Sequence, residues 1–283
     1  MVDPATALAA ALDNSTKVAN TPLFSTIIDK LLGFKISEWG AQGETIKKQI
    51  LDGYEEAKQK GLGIQYVSAF RSNTNLINTS IKAAKYIDAS KSNNVAIDND
   101  VFWGFLKHSE EISNEEMQEL IAKIIAGEYN KPGSYTMSTL QTVKMLGKTE
   151  LELFERTASF LVDSERIPEE IFALGDDVKG FMKDSHVDYG TLLTLQSLGV
   201  FLPNEMSRTI PNPNNNPFRS VYFDKNFRFE PITKEGKEIK LSSFYGLSEV
   251  GKEILPHLNP QYNDSYYTWL TKHYQVPDYK LKE

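Results

Sequence analysis

The segment from Ile112 to Gly127 constrains this chain more than any other. Ser113 stands three residues ahead of Glu116, the spacing of a capping box. In such a box the serine hydroxyl accepts one orphan backbone N–H, the glutamate accepts another, and Ile112 can staple onto Met117. Met117, Leu120, Ile121, Ile124 and Ile125 then recur on one helical face, with Glu115, Glu119 and Lys123 on the other. Gly127 is read as a left-handed stop. A helix with so continuous an apolar stripe has to be buried against others, so the chain is expected to be built on packed helices.

Its neighbours repeat that pattern. Phe24, Ile27, Ile28, Leu31 and Leu32 fall at three- and four-residue steps after Pro22; Ile46, Ile50, Leu51 and Tyr54 form a narrower stripe within a Glu/Lys/Gln-rich run; and a third helix is expected from about 65 to 87. After the Pro132–Gly133 turn, Leu140, Val143, Met145 and Leu146 suggest a short helix, and Thr149 with Glu152 suggests a second capping box ahead of Leu153 and Phe154. Residues 1–20, small and weakly polar, read as a flexible lead-in.

From Asp188 the texture changes. Leu192, Leu193, Leu195 and Leu198 precede Gly199; Val221, Phe223, Phe227 and Phe229 flank a polar turn at 224–226; and Leu247–Ser248 opens a helix through Gly251, Ile254 and Leu258. This order of leucine-rich helix, aromatic ribbon and glycine-bearing helix is similar to the end of many winged-helix domains. The expected fold is therefore mainly α, an N-terminal helical body followed by a C-terminal winged-helix-like α+β module. Its expected divisions are the lead-in 1–20, a helical domain 21–180 and the module 181–283. A length of 283 residues is enough for about two such units.

Composition narrows the function classes. With no cysteine there can be no disulfide, thiolate nucleophile or thiolate zinc site, and a reducing cytoplasm fits best. A formal charge of −7 gives no general attraction to phosphate backbones. Between 207 and 240 the cations Arg208, Arg219, Lys225, Arg228, Lys234, Lys237 and Lys240 outnumber the acids by three, which makes a modest candidate nucleic-acid face. The helix in the recognition position has no Arg or Lys from Tyr189 to Leu198, and a groove-reading helix so composed is poorly equipped. His108, His186, His257 and His273 share no metal-ligand spacing, and Gly61–Leu62–Gly63 lacks the remainder of a nucleotide loop. Acidic pairs at 98 and 100, 176 and 177, and 115 and 116 are the remaining hydrolytic candidates, and loop position or a helix N-terminus accounts for each. No cofactor or metal is expected. No run approaches the roughly 18 apolar residues of a spanning helix. The face Phe24, Ile27, Ile28, Leu31 and Leu32 is read as a partner surface, with a peripheral membrane contact as the less favoured use.

The run Ser113–Asn114–Glu115–Glu116–Met117–Gln118–Glu119–Leu120, followed by Ala126–Gly127–Glu128 and Pro132–Gly133–Ser134, resembles the signature of an uncharacterised bacterial family, domain of unknown function 2806. Members show S-x-E-E-M-Q-E-L-W-A-x-I-L-A-G-E and then P-G-S-F-S-x-x-T-L. Ile121 stands in place of the tryptophan and Tyr135–Thr136–Met137 loosen the second block, while Thr139–Leu140 and Glu152–Leu153–Phe154 match. The resemblance extends from Pro22 through the helix at Leu247. It implies no known reaction or ligand, so no functional residue is carried over, and by analogy it implies an accessory role such as phage defence. The reading reached is a non-enzymatic, self-associating interaction protein, a homo-oligomer or one half of a protein complex. A DNA-binding regulator is second and a metal-dependent hydrolase third.

Overall fold

The computed structural model describes residues 4–15, 39–88, 100–164, 170–172, 185–232, 238–241, 243–273 and 276–282. The chain divides into two compact units, Met1–Leu140 and Gln141–Glu283. The first is all helix among its described residues and the second mixes helices with small antiparallel sheets, so the protein is mainly α with a small β region toward its C-terminus. No described helix is long and apolar enough to cross a membrane.

The first unit holds α1 (Pro4–Ser15), α2 (Trp39–Gln59), α3 (Gly63–Ala84), α4 (Asp100–Ser109) and α5 (Glu115–Asn130). The Ala-rich start, expected to be a flexible lead-in, is instead a core helix: Ala5, Leu8, Ala9, Ala11 and Leu12 are buried, and α1 packs on α3. Alanine's small side chain explains the difference, because it raises helix propensity and permits close packing while adding little to an apolar stripe. The amphipathic segment Phe24, Ile27, Ile28, Leu31 and Leu32 lies outside the described residues.

Helix α5 is buried as its stripe requires, with Ile121, Ile124 and Ile125 at most 1% exposed. Its cap is displaced by one residue from the expected one: Asn114 Oδ1 accepts the Met117 N–H at 3.0 Å, and Ser113 Oγ accepts a hydrogen bond from Arg71 Nε at 3.1 Å. Asparagine caps as well as serine, and Ser113 is engaged by α3. Further polar ties run from α3, where Lys82 Nζ reaches Gln118 Oε1 (3.0 Å) and Asn75 Nδ2 reaches the Glu110 carbonyl (3.0 Å). Gly127 does not end the helix, which continues to Asn130. A Cβ there would stand 2.5 Å from the Tyr135 hydroxyl, so glycine is required by the buried Tyr135 rather than by a turn.

The division between the units falls inside α6 (Met137–Met145). The second unit continues with α7 (Lys148–Ala158), β1 (Asp163–Ser164), β2 (Glu170–Phe172), α8 (Tyr189–Ser197), β3 (Thr209–Pro211), β4 (Phe218–Tyr222), β5 (Lys225–Pro231), β6 (Glu238–Lys240), β7 (Phe244–Gly246), α9 (Glu249–Ile254), α10 (Asp264–His273) and β8 (Tyr279–Lys282). Helix α7 begins two residues before the expected box: Gly147 is the cap residue, and Glu150 Oε2 accepts its N–H at 3.0 Å.

Strands β1, β4, β5 and β8 form one antiparallel sheet in the order β1-β4-β5-β8, while β2 pairs with β7 and β3 with β6. Isolated bridges join Phe201 to Leu247 and Met206 to Phe244. The aromatic hairpin expected around 224–226 is β4–β5, with its turn at Phe223–Asp224. Its inward residues are Phe218, Ser220, Tyr222, Phe227 and Phe229, and the in-register pair Phe218 and Phe229 stacks at 4.7 Å. Ser248 caps α9 through the Gly251 N–H at 3.0 Å. Gly251 has no room for a side chain, since a Cβ would stand 2.3 Å from the Val200 carbonyl oxygen.

Candidate functional site

The central motif is held together for structural reasons. Glu128, 2% exposed, accepts the N–H groups of Gly133 (2.7 Å), Ser134 (3.0 Å) and Tyr135 (3.1 Å). One carboxylate thus satisfies three successive donors of a tight turn, which a buried segment requires. The glycine, glutamate and Pro-Gly-Ser elements of the motif therefore form one device that closes α5 onto the following loop.

Three surfaces of the second unit remain. The first is the outer face of α8. Asp188 caps the helix, accepting the Thr191 N–H at 2.8 Å and its hydroxyl at 3.1 Å, and these bonds hold its carboxyl below the usual carboxylate range. The helix buries Thr191, Leu192 and Leu195. The opposite face carries Tyr189 (58% exposed) and Leu193 (47% exposed), four residues apart and so on the same side. Gln196 Nε2 donates to the Leu202 carbonyl at 2.8 Å, and the Leu202 side chain is exposed. Beside it the Tyr245 hydroxyl donates to Glu205 (3.4 Å), and burial with the glutamate's charge pushes its phenol up. From Tyr189 to Leu202 the chain has no charged residue.

The second is the outer face of the four-stranded sheet. Arg219 on β4 lies opposite Arg228 on β5, and Arg228 lies opposite Lys282 on β8, so three cations form a row across three strands. Glu230 takes up much of that charge: it lies 2.6 Å from Lys282 and 3.5 Å from Arg228, and the lysine bond holds its carboxyl below the ordinary value. Lys225 pairs with Asp224 at 3.4 Å. Arg208 is exposed near β3, away from this register, and Lys234 and Lys237 lie outside the described residues. Lys282 is not among the sequence-predicted cations because no element is predicted beyond the helix ending near Leu258, although Tyr279-Lys280-Leu281-Lys282 alternates with the period of a strand.

The third is a cleft of about 560 Å³ bounded by the last turns of α7, the Ser185–His186 turn and the segment 259–263. Its walls are tied together. Asn259 N–H donates to Glu155 Oε1 (3.2 Å), Gln261 N–H to Ser159 Oγ (2.8 Å) and Asn263 N–H to Tyr222 Oη (3.0 Å). Buried Tyr222 in turn donates to the Ser159 carbonyl at 2.8 Å, and burial pushes its phenol up to about 12. At one end Tyr262 meets Phe223 edge-on, with ring centres 5.8 Å apart.

Of the hydrolytic candidates, three fall among the described residues. Asp100 is exposed at the start of α4, Glu115 and Glu116 sit in the first turn of α5, and Asp98, Asp176 and Asp177 lie outside the described residues. Among the described residues no group of three or more His, Asp or Glu side chains could hold a metal ion. His108 is buried on α4 and His257 follows α9; of the histidines, only His186 lines the cleft.

Comparison with known proteins gives one positive result. A family model described as a protein of unknown function (DUF2806) matches residues 67–271. No curated protein and no solved structure matches.

Proposed function

The chain belongs to the DUF2806 family of proteins of unknown function, and from that premise we propose that it is a non-enzymatic interaction protein that associates with copies of itself through the outer face of α8. The observation that carries this reading is the exposed Tyr189–Leu193 face of α8, on a stretch without charge from Tyr189 to Leu202. Contiguous exposed apolar side chains on a helix mark contact sites, and tyrosine is enriched at the centre of such sites. A face without charge needs no complementary charge on its partner, so it can meet itself about a two-fold axis, as most homodimers do.

The reading places α8 in a winged-helix-like module over 181–283. In support, β7 lies between β2 and the stretch 201–206, α8 leads directly into that stretch, and α9 follows β7. On this view the ribbon β3–β6 with the β4–β5 hairpin beyond it is an enlarged wing, and the helix that would read a groove in a DNA-binding relative offers tyrosine and leucine instead. Static light scattering over a concentration series tests the proposal: the mass should rise above 32.0 kDa as concentration increases, and a constant monomer mass would refute it.

The cationic row supports a second reading, a DNA-binding regulator using the sheet face. It requires duplex affinity that falls with salt and is weakened by replacing Arg219, Lys225 and Arg228. Affinity indifferent to those changes would remove it.

A further inference from the structure

The cleft beside α7 goes beyond the association face and carries a local cost that no described residue offsets. The Nε of Arg156 is shielded from solvent and has no hydrogen-bond partner among the described residues. A donor on a charged group left unmade is expensive, and although a cation suits the C-terminal turn of a helix, the dipole supplies no acceptor for this atom. Such a cost persists where a site is organised for something other than stability.

The volume of about 560 Å³ lies within the range of small-molecule sites. The hydrogen bonds from 259–263 to Glu155, Ser159 and Tyr222 fix its walls before any ligand arrives. The charges define the occupant. Arg156 presents a planar fork suited to a carboxylate or phosphate. One turn earlier Glu152 pairs with Lys148 at 3.6 Å, with both side chains about half exposed, so that pairing is weak. Glu155 adds a second negative charge on the same wall. Two carboxylates and one guanidinium lining the same cleft disfavour a dianionic phosphate and favour a ligand that carries a carboxylate together with an ammonium.

We propose that this cleft is a binding site for a small zwitterion of the amino-acid class, with its carboxylate on Arg156, its ammonium toward Glu152, and its side chain toward Tyr262 and the amides of Asn259 and Gln261. Isothermal titration calorimetry on the full chain with each free L-amino acid is the test. At least one should bind saturably; its methyl ester, which lacks the carboxylate charge, should bind tenfold or more weakly, and so should its N-acetyl form, which lacks the ammonium. Arg156→Lys keeps the charge but not the fork and should weaken binding by a similar factor. Absence of binding by every free amino acid overturns the proposal. So does an ester or N-acetyl form that binds as well as the parent, or inorganic phosphate that binds more tightly. The ligand derivatives decide the matter even if the Arg156 variant does not fold.

Discussion

Glu128 shows how a motif of chemically suggestive residues can be structural. Its carboxylate accepts the N–H groups of residues 133–135, a structural use that needs no acid–base role. Glu128→Ala should leave those donors without their acceptor and destabilise the protein by about 3 kcal/mol, with Glu128→Gln intermediate; urea denaturation followed by circular dichroism measures both. Gly251→Ala should cost about 2 kcal/mol in the same assay, because the new methyl group would overlap the Val200 carbonyl. Tyr222 gives a pH dependence whose sign is fixed by its raised pKa. The folded state favours the neutral phenol, so its contribution is complete below the ordinary value of 10.0 and is lost as pH rises toward about 12. Denaturation midpoints measured across that window should fall for the wild type. In Tyr222→Phe they should start lower, for want of the bonds to Ser159 and Asn263, and fall less.

At the scale of elements, the apolar stripes of α5 and α7 and the aromatic alternation of β5 were legible in the sequence because each follows a local period, whereas β4 buries Phe218, Ser220 and Tyr222 instead of the expected Val221 and Phe223. Cap positions were less so. Ser113 and Asn114 are equally good caps by local chemistry, and the choice between them is made by Arg71 on another helix. Helix α1 was missed because alanine carries little hydrophobic signal, and β8 because four residues at the end of a chain make a strand only when β5 is there to receive them. The candidate site divides in the same way. The absence of cations on α8 was read directly, whereas the cleft joins residues of α7 to residues a hundred positions later, and no spacing rule reports that. The cap of α8 supplies a prediction at this scale. Asp188→Ala should lower stability by about 1 kcal/mol, while Asp188→Asn, which keeps an acceptor for the Thr191 N–H, should cost less.

For the whole molecule, association is proposed on one face and small-molecule binding on another, both within the second unit, while the Glu128 turn serves the stability of the first. Sedimentation equilibrium of matched variants tests the association claim most directly. Ile64 is the natural control, being 86% exposed but located in the first unit at the start of α3. If α8 is the contact face, wild type and Ile64→Glu should both gain mass with concentration while Leu193→Glu stays monomeric with unchanged circular dichroism. If instead Leu193→Glu associates as the wild type does, the contact does not lie on α8 and the central claim is wrong.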